Sequence, residues 1–341
     1  MEKLPSRRAF FRAGKPAPLP RDLSLLRLGR PAMATQFEIL VPTEFRGLIE
    51  FAHQALDEVR RLEGLLSYFD PASRVSELNR DAAMRPVAVE PELFELLERS
   101  LRIGADTEGA FDVAAGAVWS CWGFHQRQGR VPDRSEIEAA LARTGSDGLE
   151  LRTEDRTVRF LKSGLEINLG SIGKGFALDR SARILQNAGF EQALLHAGNS
   201  SFLAWGDPGK CGGGWRVGVR HPLHRESDLL ALELKEVGMA TSGVGEQYFE
   251  VDGRRYGHIL DPRTGEPVLH HLSVTTFAPD AAWADALSTA FFVMTPEEIE
   301  VYCSRHHEVG AIVVPAIDEG ERLQVLRFGT AESFMVRVNL D

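Results

Sequence analysis

The sequence predicts an α+β fold in a single domain, and three observations lead there. Helix-period and strand-period segments are both present, but they do not alternate as βαβ units, so a doubly wound sheet is not expected. There is no internal repeat and no shift in composition that would mark a linker. The 341 residues, 43% of them hydrophobic, are enough for one large domain or two lobes around a sizeable core.

Residues 1–28 read as an extended N-terminal lead and residues 29–341 as the domain. Within the lead, "SRRAFFRAG" (residues 6–14) is similar to a twin-arginine export signal. The apolar segment such a signal needs next is interrupted by prolines, a lysine and an Arg-Asp pair. The cytoplasm is therefore the default compartment, with export through a degenerate signal as the alternative.

Residues 34–42 alternate as a strand. Residues 44–68 carry Leu48, Phe51, Ala52, Ala55, Val59, Leu62, Leu65 and Leu66 at helical spacing. "ASRVSELNR" is a polar turn into a short helix, and residues 91–106 repeat the helical pattern until Glu108-Gly109 stops it. From 149 to 169 the pattern turns strand-like in "LELRT", "TVRFL" and "LEINLG". A helix over 174–188 ends at Gly189, a suitable C′ position. "ALLHAG", "SFLAWG", "WRVGVRHP" and "LLALELKEV" read as strands. "YFEVDGRRYGHIL" reads as a hairpin turning at Asp252-Gly253. After "LSVTTFAP" come helices over 281–293 and 296–307, then strands "GAIVVPA", "LQVLRFG" and "FMVRV".

The formal net charge of −10 argues against free nucleic acid as a partner and leaves room for a small anion at a local site. Cys121, Cys211 and Cys303 are odd in number and far apart, which supports neither a disulfide framework nor a zinc site. No apolar run approaches the length of a membrane span.

Three stretches could carry chemistry. "INLGSIGKGFALDR" (167–180) has the glycines and lysine of a phosphate loop, but its spacing matches neither the Walker loop nor the dinucleotide fingerprint. It is either a backbone approach to an anion at a helix N-terminus or a tight strand-to-helix connection. "YGHILDPRTGEP" (256–267) packs His258, Asp261 and Arg263 into six residues. His258 could accept a proton near neutral pH, or Asp261 could simply cap the turn. "WADALSTAFF" (283–292) places Asp285, Ser288 and Thr289 on one helical face. Asp285 and Thr289, at i and i+4, give two hard oxygens, too few for a closed cage but suited to Mg²⁺, which keeps waters and completes its shell with ligand phosphates. A helix charge with a self-bonded threonine is the alternative. Trp119 and Trp122 read as core, the His270-His271 and His306-His307 pairs as non-ligating, and "ATSGVG" (240–245) as a turn or a loop near a ligand.

The order and spacing of these stretches resemble the ApbE family of FAD:protein FMN transferases over about residues 31–300. "MATQFEI", "LSYFDPASRVSELN", "GAFDVAAGAVWSCWGF", "INLGSIGKGFALDR", "ATSG", "HILDPRTG" and "ADALSTA" carry the resemblance. It implies a single mixed α/β domain of the ApbE type, with two lobes around a flavin cleft as one arrangement. It also implies Mg²⁺-dependent transfer of FMN from FAD to a Thr or Ser hydroxyl in a motif of an acceptor protein, releasing AMP. By family position, Asp285, Thr289, Ser288 and the Ser171 carbonyl fall at Mg²⁺. Lys174, Asn168, Met33, Phe69, Ala110, Phe111, Asp112 and Ile259 fall at FAD, and His258 is the candidate base.

The chain departs from the family pattern in places. Asn199 or Ser200 in "AGNSS" stands where a carboxylate is expected, and Asn168 replaces an aspartate. Val113 and Ala114 replace Pro and Thr, and Ala34 replaces glycine. The alternatives to transfer are an FAD-binding protein serving a flavin-dependent redox system and a Mg²⁺-dependent FAD pyrophosphatase.

Overall fold

The computed structural model describes residues 24–124, 129–209, 213–224, 226–245, 248–317 and 322–335. The "SRRAFFRAG" stretch lies outside these. β1 (Leu25–Ala32) and β2 (Thr35–Pro42) form a hairpin, so Leu25–Leu28, expected in the lead, belong to the domain. A 3₁₀ turn over Thr43–Leu48 delays the first helix to α1 (Ile49–Leu66). Then follow α2 (Arg74–Asp81), β3 (Val87–Ala88), α3 (Pro91–Asp106), α4 (Gly116–Cys121), α5 (Arg134–Leu141), β4 (Leu149–Arg152) and β5 (Thr157–Phe160). α6 (Gly173–Asn187) leads into β6 (Ala193–Ala197), β7 (Ser201–Trp205), β8 (Trp215–Arg220), β9 (Asp228–Leu234) and β10 (Val237–Gly243). β11 (Tyr248–Val251) and β12 (Arg254–Gly257) are the expected hairpin, with Asp252 and Gly253 both at positive φ. β13 (His271–Ala278), α7 (Ala281–Val293), α8 (Pro296–Arg305), β14 (Gly310–Pro315) and β15 (Leu326–Gly329) complete the chain.

Eight strands form one antiparallel sheet in the order β1-β2-β6-β7-β10-β13-β14-β15. α1, α6 and α7 cover one face, and their apolar side chains join Phe37, Ile39, Leu195 and Val274 in the main core. The β8–β9 ribbon covers the other face, where Trp215, Val217 and Leu232 pack on Phe202, Met239 and Phe277. A third cluster joins α4 and α5 to the β11–β12 hairpin through Trp122, Phe124, Ile137 and Phe249. This is a mixed α/β architecture, and the α+β expectation agrees with it.

One expected strand does not form, and the described part of a second is not a strand. "LEINLG" is extended but pairs with no strand among the described residues, because the Asn79 side chain serves both polar groups of Ile167. Its Nδ2 donates to the Ile167 carbonyl at 3.0 Å and its Oδ1 accepts the Ile167 N–H at 2.8 Å. In "FMVRV", Phe334 ends a 3₁₀ turn and Met335 forms an isolated bridge to Leu232; the remainder lies outside the described residues. "ATSG" is not a loop but the end of β10, with Thr241 paired to Thr275 of β13. No helix among the described residues is long and apolar enough to cross a membrane.

The β1–β2 turn is made by Met33 and Ala34, at φ 49° and 57°. Both φ values suit a type I′ turn, the form glycine and asparagine favour, because a Cβ there crowds the backbone. Ala34→Gly is expected to raise the unfolding free energy by about 1 kcal/mol, measured by urea denaturation.

Candidate active site

α7 is almost entirely apolar and buried, so its polar residues need partners from other elements. Asp285 is 4% exposed. Its Oδ2 accepts the Gly175 N–H at 3.0 Å, and its Oδ1 accepts the Ser201 hydroxyl at 2.9 Å. The Lys174 ammonium lies 3.2 Å from Oδ1. Gly175 N–H belongs to the first turn of α6, whose amides have no helical acceptor and whose dipole favours an anion. The anion that meets this amide is the protein's own carboxylate. That is why "GKG" resembles a phosphate loop without having its spacing.

Gly175 is required by proximity rather than by conformation. A Cβ there would lie 2.1 Å from the Ala281 carbonyl oxygen. α6 and α7 thus touch backbone to backbone, and the Asp285 side chain reaches the start of α6.

Ser288, also expected at the metal, has its hydroxyl engaged otherwise. It donates to the Asp285 carbonyl at 2.9 Å and lies 2.8 Å from the Ser242 hydroxyl of β10. Thr289 is half-buried, and its hydroxyl makes no hydrogen bond to the described residues. Ser171 sits just outside α6, and its carbonyl accepts no hydrogen bond among them. One carboxylate, one hydroxyl and one free carbonyl are hard oxygen donors that fit Mg²⁺ better than a softer metal. No group of three or more His, Cys, Asp or Glu side chains placed to hold a metal occurs among the described residues.

The residues expected at FAD lie on several elements, each held by its own local contacts. Met33 N–H donates to Glu63 of α1 at 2.6 Å. Phe69, 65% exposed, follows α1 and meets Tyr68 and Trp119 edge to face. The Tyr68 hydroxyl donates to Glu166 at 2.5 Å, and Ser120 donates to the same oxygen. Burial, then the bond to Glu166, holds the Tyr68 phenol protonated. Two residues on, Asn168 N–H reaches the Val113 carbonyl at 2.8 Å, and its side-chain oxygen accepts from Gly170.

Asp112 is placed differently from a free ligand-facing carboxylate. It accepts from Ala114 N–H, Ser146 N–H and the Ser146 hydroxyl, so it ties its loop to the turn before β4. Burial pushes its carboxyl up, against the pull of those donors. The Ala110 and Phe111 side chains are core, each 1% exposed. These three residues can present backbone to a ligand more readily than side chain.

His258 and Ile259 directly follow β12. His258 is half-buried and lines a cleft of about 460 Å³ with Gly243, Tyr248, Arg255 and Phe292. Phe292 is on α7 one turn beyond Ser288, so the cleft opens next to the helix that carries Asp285. Asp261 caps the following turn: it accepts from Arg263 N–H at 2.9 Å and pairs with the Arg263 guanidinium at 3.0 Å. Trp122 Nε1 fastens that turn by donating to Gly265. In "AGNSS", Gly198 and Asn199 both take positive φ in the β6–β7 turn, which brings Ser201 under Asp285. Sequence reasoning missed Ser201, Ser242, Tyr68 and Glu166. Their only advance signal is that a carboxylate on an apolar helix must find donors elsewhere.

Gly175→Ala is expected to cost about 2 kcal/mol of stability, because α7 must retreat from α6, and to weaken the bond to Asp285. Equilibrium urea unfolding and any assay of the site would show both losses together.

The model of the ApbE family matches residues 33–313. FAD:protein FMN transferase of Escherichia coli strain K12 is 32% identical over 280 residues, covering 80% of this chain and 78% of that protein. The Treponema pallidum protein of the same name is 35% identical over 263 residues, covering 72% and 73%. The crystal structure of the ApbE protein of Thermotoga maritima superposes with a TM-score of 0.83 at 32% identity, covering 92% of this chain and all of that one. The apo form of the Pseudomonas stutzeri flavinyl transferase ApbE gives 0.79 at 27% identity, covering 92% and 97%. On its sequence match and its fold together, this chain belongs to the ApbE family.

Proposed function

We propose that this protein transfers the FMN part of FAD to a Thr or Ser hydroxyl of an acceptor protein, with Mg²⁺, and releases AMP. The observation that carries the reading is the Asp285 cluster: a buried carboxylate beside Lys174, with the Thr289 hydroxyl and the Ser171 carbonyl uncommitted. Family membership supplies the reaction class, since the relatives that match are named FAD:protein FMN transferase.

Asp285, Thr289 and the Ser171 carbonyl would hold Mg²⁺. The ion would supply charge neutralisation on the pyrophosphate. Lys174 adds a fixed positive charge at the same place. Met33, Phe69, Asn168 and the 110–112 loop hold and orient FAD. The acceptor oxygen forms a new bond to the phosphorus on the FMN side, and the bond to the AMP oxygen breaks. His258, beside the cleft through which an acceptor segment would enter, takes the hydroxyl proton, and AMP leaves with the bridging oxygen. Burial of Asp285 keeps water away from the carboxylate and strengthens its charge interactions. Neither the replacement of Asp by Asn168 nor "AGNSS" removes a member of this set.

Incubation of the protein with FAD, Mg²⁺ and an acceptor domain is expected to give covalent flavin, seen by in-gel fluorescence, and an equal amount of AMP. Free FMN without labelling would point instead to hydrolysis, and FAD binding with neither product would overturn both. Asp285→Ala is expected to abolish transfer together with its Mg²⁺ dependence. His258→Ala should lower kcat by about 10²-fold or more while FAD binding persists, as checked by a fluorescence titration.

A further inference from the structure

We propose that Asp179 is a positioning residue for the reaction, because it clasps the first turn of α7 to α6 and so sets where Asp285 stands. The proposal rests on the reading of Asp285 given above. Asp179 lies on α6, one turn beyond Gly175. Its Oδ1 accepts the Ala281 N–H at 2.8 Å and its Oδ2 accepts the Ala282 N–H at 2.9 Å. Asp280, the residue that caps α7, accepts the Trp283 N–H at 2.8 Å and is gripped by Arg99 of α3 at 2.5 Å. A helix start leaves its first amides without helical acceptors, and a single cap residue ordinarily serves one of them. Here the first three are each held, and two of the three by a side chain from another helix.

The register of the contact gives this clasp its consequence. Gly175 meets Asp285, and Asp179 meets Ala281, so the two contacts are one turn apart on each helix. Between them the Gly175 position touches the Ala281 carbonyl. A rotation of α7 by one residue would swing Asp285 about 100° away from Lys174 and Ser201. Ala281 and Ala282, which meet Gly175 of α6, offer little shape at that contact, whereas Leu287, Phe291 and Phe292 anchor the helix in the core. The two-oxygen grip on consecutive amides is directional and fixes both rotation and rise.

Stability alone does not explain an acid here. Burial, and next the charge of Asp280, push the Asp179 carboxyl well above the usual carboxylate range. Its ionised form therefore costs folding energy that a neutral cap would avoid. Only a carboxylate offers two equivalent acceptors to two adjacent N–H groups. Asparagine would turn an NH₂ toward one of them.

The test is Mg²⁺-dependent FAD binding by the full chain, followed by flavin fluorescence, with amide exchange at Ala281 and Ala282 as a second readout. Asp179→Asn is expected to raise the Mg²⁺ concentration for half-maximal FAD binding by about tenfold and to speed exchange at both amides. Asp179→Ser, which keeps one acceptor and adds no amide donor, should shift the same way if the asparagine variant folds poorly. Leu185→Ala, a cavity in the core face of α6, should lower the melting temperature and leave the Mg²⁺ midpoint in place. A midpoint within twofold of wild type in Asp179→Asn, or an equal shift in Leu185→Ala, would overturn the positioning role. Asp285→Asn separates the two claims. If it too leaves the midpoint unchanged, the reading of Asp285 itself fails. If it shifts the midpoint and Asp179→Asn does not, only the clasp is wrong.

Discussion

A carboxylate buried in an apolar helix is the constraint on which this structure depends. An isolated charge in such a place is costly, and it persists only when its surroundings are polar and fixed. Asp285 meets the condition through one amide and one ammonium from α6 and one hydroxyl from β7. The hydrogen-bond donors stand 110 and 84 residues away from Asp285 along the chain. Each must be in register before the charge is tolerated, so the fold of this region and the assembly of the site are the same event.

Several local features follow from that requirement. Gly175 allows α6 to reach α7 closely enough for its amide to touch Asp285. The turn at Gly198 and Asn199 delivers Ser201 from a strand to the same carboxylate. Ser242 pins Ser288, so the face of α7 that carries Asp285 and Thr289 is held against β10. The antiparallel sheet supplies the rigid floor, and the less regular connections supply the walls. Aromatic residues around Tyr68 and Trp119 pack beside Glu166, in the segment that leads into α6. The cleft with His258 is lined in part by Phe292 of α7.

Much of the fold was legible because its cues are local. The helix over 91–106 follows its apolar period, and both it and the helix over 281–293 have the expected bounds. Asp252-Gly253 announced its hairpin because few other pairs adopt positive φ twice in succession. The misses have a shared cause. Leu25–Leu28 follow a proline-rich run, and only pairing with β2 makes them a strand. "LEINLG" has strand chemistry, but the Asn79 side chain supplies the hydrogen bonds a neighbouring strand would have made. Local pattern sets what a segment can be, and the partner decides what it becomes.

The same division runs through the site. By itself the sequence determined the residue types and their spacing: one carboxylate and one threonine on a helical face, a lysine between glycines, and a histidine after a strand. These arise from short-range geometry, and they sufficed for the resemblance to a family. Only the tertiary structure decided which of them are available. It engaged Ser288 with Ser242, turned Asp112 and Asp261 to holding loops, and placed Ser201 and Asp179 where no spacing announced them. The physical reason is that a hydrogen bond acts over about 3 Å in space and is indifferent to the length of chain between its ends.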